Sequence, residues 1–254
     1  MLVFTTEWLL SFLLVLARVG GLVALAPLPG TRLFPVPAKV ALAMLLTVLL
    51  APLASFRLGP QAGLWTVVIW MTREAAFGVA VAVALQFLTE ALGLAAQLLG
   101  FQAGYSYINT VDPTSQVDAT ILNVLLTLLA GFLLFAFDLH LQLIRALAVS
   151  LERIPVGEFR ISPDAALHLA RVGSAVFETA IRLAFPVIAL LLLLDLALAL
   201  LSFVNSRMQL LSLSFPIKMA VTMLVMGTVL LEAPRLFHQL AGRALGAVEG
   251  LLGR

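Results

Sequence analysis

The chain has 254 residues, of which 62% are hydrophobic and 11% charged, with a formal net charge of +2. Soluble domains carry about 25% charged and about 45–50% apolar residues, so this composition excludes an ordinary soluble protein and points to an integral membrane protein. The small net charge gives no electrostatic footprint for nucleic acid, and the absence of cysteine excludes disulfides, thiolate metal sites and a cysteine nucleophile.

Trp8–Ala26 is the first apolar run, with Arg18 inside it. Thr5, Thr6 and Glu7 stand where a signal peptide would be basic, so the run is expected to be a retained helix. Pro27-Leu28-Pro29-Gly30 ends it, and Pro35 and Pro37 are expected to keep the connector extended. Lys39–Leu50 reads as the second helix, followed by a turn at Arg57–Pro60.

Leu64–Leu99 reads as helical throughout. As one helix it would be ~54 Å long against a hydrocarbon core of about 30 Å. It must therefore break, tilt strongly or leave the bilayer, with Gly78 and Gly93 as the available weak points. Ala75, Gly78, Ala82, Gln86, Glu90, Gly93, Gln97 and Gly100 recur every three or four residues and share one helix face. Small and polar residues on a common face mark helix contact rather than a lipid face, either within this chain or against other subunits.

Gly100–Gln116 interrupts the apolar pattern. It holds Phe101, Tyr105 and Tyr107 beside Gly100 and Gly104, then Thr110, and it ends through Asp112-Pro113. One reading is a loop with aromatics at the lipid headgroup level. The other is a loop folded inward to line or close a cavity, since non-helical backbone at membrane depth must be buried in protein or reached by water. Glycines suit the tight turns this needs.

Ile121–Leu147 is the fourth apolar run, with Asp138 and His140 towards its end, and Ser150–Pro163 reads as a polar connector. Ser162 or Pro163 starts a helix with Asp164 in its favourable first turn. That helix runs to about Phe203, again too long for one span, and Pro186 is expected to divide it. Glu178 stands four residues before Arg182, the better order for a helical ion pair. Val187–Leu201 is apolar except for Asp195. After a polar connector at Ser202–Ser214, Phe215–Leu231 reads as the last span, begun through Pro216 and Lys218, with Ala233–Arg254 as a short amphipathic tail. The expected architecture is an all-α membrane protein of about six apolar runs in one domain, residues 1–254. The bias of basic residues is too small to set its orientation.

Ionisable groups in apolar runs are functional candidates whose partners must be found. Here they include Arg18, Arg73, Glu74, Glu90, Asp138, Glu178, Arg182 and Asp195. Asp195 could serve as a proton or cation site, or could simply meet an Arg or a helix N-terminus on a neighbour. Catalysis has little to stand on: no Gly follows Gly104-Tyr105-Ser106, and His140 and His168 lie in different runs. No motif implies a metal or nucleotide cofactor.

The segment Ala95–Ser106, with Val111-Asp112-Pro113 after it, resembles the signature region of the FliR family of flagellar and injectisome export-gate proteins. Further matches are Arg18, Ala26-Pro27, Val36-Pro37-Ala38-Lys39, Ser150–Gly157, Phe185-Pro186 leading to Asp195–Leu198, and Phe215-Pro216. The resemblance implies a subunit of the type III export gate in the bacterial inner membrane, built of kinked helical hairpins. Its partners would be FliP-like, FliQ-like and FlhB-like subunits, membrane lipid and unfolded export substrates. No FlhB-like domain is expected to be fused to this chain. The resemblance also implies that the loop before Asp112-Pro113 plugs the channel, with Tyr107 and Thr110 at the positions that point into it. Thr110 stands where an aromatic is common, so a seal here would lean on Tyr107, Tyr105 or Phe101. Two further departures are Ser206-Arg207 in place of a Pro-Gln pair and Asp195 in place of Asn. The alternative function is a small ion-coupled transporter using Glu90 or Asp195.

Overall fold

The computed structural model describes residues 6–26, 35–54, 63–105, 121–160, 163–204 and 210–252. The described residues form helices and connecting turns, without a strand. In chain order the helices are α1 (Thr6–Leu25), α2 (Val36–Leu50, followed by a 3-10 turn at Ala51–Leu53), α3 (Leu64–Gln102), α4 (Ile121–Ala136), α5 (Leu139–Arg153), α6 (Pro163–Val204) and α7 (Leu210–Leu251). Five of them are long and apolar enough to cross a membrane, or six spans if α4 and α5 count as one bent crossing. The expected all-α membrane architecture is therefore the one found.

The chain divides into two compact units. One takes residues 1–87, 134–173 and 241–254; the other takes 88–133 and 174–240. In the first, Leu14, Val15, Arg18, Val19, Leu22 and Val23 of α1 are buried, a stripe at helical spacing. A Cβ on Gly21 would collide with the backbone of Ala75, and one on Gly78 with the carbonyl of Arg18, standing 2.7 Å from the Leu22 nitrogen. Each helix thus places a glycine against the other's backbone, as in close helix pairs of membranes. α1 also packs on α2.

Several boundaries differ from those expected. α2 begins at Val36, so Pro37 lies in the first turn, where its missing N–H costs nothing, and only Pro35 remains extended. α3 runs unbroken through Gly78 and Gly93 for 39 residues. Gly78 serves the close approach to α1 instead of a break.

Pro186 does not divide α6, and Pro216 and Pro234 both lie inside α7, which joins the expected last span and tail into one helix. An interior proline forfeits one backbone hydrogen bond. Ending a helix in apolar surroundings would strand several backbone groups, so continuing it costs less.

Ile121–Leu147, read as one run, is instead α4 and α5, bent by 57°. Asp138 at the break has φ 54 and ψ 27. Aspartate is among the few side chains that tolerate this left-handed conformation. The Gln142 amide donates to the Phe137 carbonyl at 3.2 Å, satisfying an acceptor the bend releases. The expected connector at Ser150 begins later, because α5 continues to Arg153.

Candidate functional site

The first unit is centred on a buried ion pair. Arg18 and Glu74 are both 0% exposed, and the Arg18 Nε donates to Glu74 Oε2 at 2.5 Å. The same guanidinium donates to Ser150 Oγ at 3.0 Å and, at 3.5 Å, to the Ile154 carbonyl. Its carbon lies 5.0 Å from the centre of the Phe77 ring, within cation–π range. Phe77 in turn meets Phe159 edge-on at 4.9 Å.

Glu74 Oε1 accepts the Gly157 N–H at 2.8 Å. Gly157 turns the backbone at φ 94, where a side chain would be strained, and the Trp70 ring packs against it. α1, α3, α5 and the Ile154–Phe159 turn thus meet at one charge pair whose hydrogen bonds are met from inside the unit. This arrangement suits a structural joint rather than a group that binds and releases ions.

In the second unit the end of α3 is fastened to α6 and α7. The Lys218 Nζ lies 2.5 Å from Asp195 Oδ1, with side chains 14% and 35% exposed. The other carboxylate oxygen of Asp195 accepts the Gln102 amide at 3.4 Å. Gly104, at φ 83, carries the chain away from α3, and a Cβ there would stand 2.5 Å from the Phe215 ring. The Tyr105 hydroxyl donates to the Met219 carbonyl at 3.5 Å. Burial raises the Tyr105 phenol above its ordinary 10.0. Phe101, by contrast, is 78% exposed.

The remaining residues singled out in the sequence are distributed as follows. Glu178 and Arg182 pair at 2.7 Å on an exposed face of α6, as their spacing predicts. Such pairs contribute about 0.3–0.5 kcal/mol. Within α3, Gln86 and Glu90 are half-buried, Gly93 is buried and Gln97 is exposed. Tyr107, Thr110, Asp112 and Pro113 lie outside the described residues.

Two sets of residues are visible in the sequence without their roles. Ser150, Ile154 and Gly157 lie in a stretch that matches the family pattern and reads as a connector with a turn signal at Ile-Pro-Val-Gly, but nothing there points to Arg18 and Glu74. Lys218 was read only as the start of a span. It is one of only two lysines in the chain and sits in an apolar stretch, which is the signal that it needs an acidic partner.

Long apolar helices, a glycine-mediated crossing and charges paired within the chain define an all-α membrane protein. The chain matches the family model for bacterial export proteins, family 1, over residues 9–244. It is 31% identical to the flagellar biosynthetic protein FliR of Escherichia coli K12, covering 91% of this chain and 89% of that protein. It is 29% identical to the FliR of Pectobacterium carotovorum, covering 97% and 94%, and 24% identical to that of Bacillus subtilis, covering 85% and 84%. The chain belongs to this family, the FliR-type bacterial export proteins, and is a membrane component of the export apparatus.

Proposed function

We propose that this chain is a non-enzymatic, channel-forming subunit of the flagellar type III export gate in the bacterial inner membrane. It assembles there with FliP-like, FliQ-like and FlhB-like subunits and lines the path of unfolded substrates. Flagellar rather than injectisome cargo is supported by the relatives named above, which are flagellar biosynthetic proteins. Within this function the stretch Gly100–Asp112 closes the path when no substrate is present. The observation that carries this is the anchored departure from α3, where Gly104 turns under Phe215 and Tyr105 is held by Met219. The stretch that continues from that fixed point, Ser106–Asp112, carries a further aromatic, Tyr107. Aromatic rings fill a narrow pore and discourage a continuous water column. An ion-coupled transporter has less support, because the charge of Asp195 is already met by Lys218.

The test is small-solute uptake and ion conductance in cells carrying Tyr105→Ala with Tyr107→Ala, or lacking Ser106–Asn109. Leakage is expected to rise while the complex still assembles. A membrane as tight as that of the parent, with the complex shown to be present, would leave the loop as an interfacial segment and remove the plug. Deleting the chain is expected to abolish motility, and retained motility would count against a flagellar role.

The same proposal assigns Gln86, Glu90 and Gln97 to contacts with neighbouring subunits, which the exposure of Gln97 within the chain supports. Glu90→Leu is expected to weaken assembly by about 1–3 kcal/mol, the cost of leaving buried polar partners unsatisfied. Copurification of the partner subunits in normal amount would sink that assignment.

A further inference from the structure

A lysine and an aspartate within apolar helices need a reason beyond stability. Burying such a pair gains little over two apolar side chains, and its best-attested use is to set register between elements. Asp195 lies in the apolar half of α6 and Lys218 in α7, and their contact fixes one helix against the other. The carboxylate uses its second oxygen on Gln102, in the last turn of α3. One side chain therefore ties three helices. Phe215, Lys218 and Met219 lie at spacings of three and four on a single face of α7. That face receives Gly104 through a ring contact, Gln102 through the shared carboxylate, and Tyr105 through a carbonyl.

We infer that Asp195 and Lys218 form a charged clasp that sets where the chain leaves α3. They are positioning residues for the turn at Gly104 and Tyr105. Because the clasp rests on the proposed role of Gly100–Asp112 in closing the path, its test must separate the two.

Four variants are compared in the assembled complex in cells: Lys218→Met, Asp195→Asn, the exchange Asp195→Lys with Lys218→Asp, and removal of Ser106–Asn109. Small-solute leakage and the amount of copurified complex are both measured. Each single variant is expected to raise leakage about fivefold, the population change that accompanies a loss of about 1 kcal/mol, with the amount of complex unchanged. The exchange is expected to restore tightness, because a reversed pair still joins α6 to α7 and the Gln102 carboxamide, turned over, can accept from the lysine at 195. Tight single variants beside a leaky deletion would overturn the clasp and leave the plug standing. A tight deletion would remove the plug and the clasp with it. Leakage in the exchange equal to that of the single variants would show that the charges do not act as a pair. Loss of complex in the single variants would make the pair a support of assembly, not a positioning device, and would also overturn the inference.

Discussion

Glu74→Leu is expected to destabilise the protein by about 3–5 kcal/mol, the usual cost of leaving a buried charge without its partner. The variant strands the Arg18 guanidinium, which is 0% exposed and whose remaining contacts are a hydroxyl, a distant carbonyl and a ring face. It also takes the acceptor from the Gly157 N–H, so the Ile154–Phe159 turn should loosen with it. The double variant Arg18→Met with Glu74→Leu is expected to recover much of the loss, because apolar side chains of similar size often replace a buried pair at little cost. Recovery should be incomplete, since the Gly157 N–H stays unsatisfied at about 1–3 kcal/mol. Trp70 packs against Gly157, so with Trp8 and Trp65 replaced by Phe its fluorescence during thermal unfolding in detergent reports the local change. A single variant that melts with the parent would refute the structural joint and reopen Arg18 and Glu74 as mobile, functional charges.

Gly78→Val is expected to be as damaging, through shape rather than charge. Its Cβ would meet backbone atoms of Arg18 and Leu22, and backbone cannot step aside as the tip of a side chain can. Overpacking costs about 1–3 kcal/mol where neighbours can adjust, and more where they cannot. The two helices would have to separate, which would also pull Arg18 from Glu74. Gly93 supplies the control within the same helix, because a Cβ there finds nothing within 4 Å. Gly93→Ala should be neutral or stabilising by up to about 1 kcal/mol, the difference in helix propensity. Protein level in the membrane and resistance to thermal unfolding measure both variants. Equal behaviour of the two would show that α1 and α3 do not cross as closely as described.

What could be read from the sequence follows from the range over which each interaction acts. Composition and run length determined the all-α membrane class, because a bilayer demands long apolar helices whatever they pack against. Glu178 and Arg182 could be paired on sight, because four residues on one helix are neighbours in any fold. The family signature was legible as well, since it lies in contiguous residues such as Ala95–Ser106.

The other decisions belonged to the tertiary structure. Arg18 and Glu74 are 56 residues apart, and nothing local to either says which of several opposite charges will be brought to it. Asp195 and Lys218 could be recognised as needing partners but not as partners of each other. Pro186 reads as a break because local propensity counts the lost hydrogen bond and the ring clash. The apolar flanks on both sides reverse that outcome, since a helix end there would leave more backbone groups unsatisfied. At Asp138 the opposite occurred: a run that looked continuous breaks, because an aspartate accepts left-handed backbone where packing turns the chain. Local chemistry determines which conformations each residue can adopt; which one it takes is decided by the neighbours that folding brings from far along the chain.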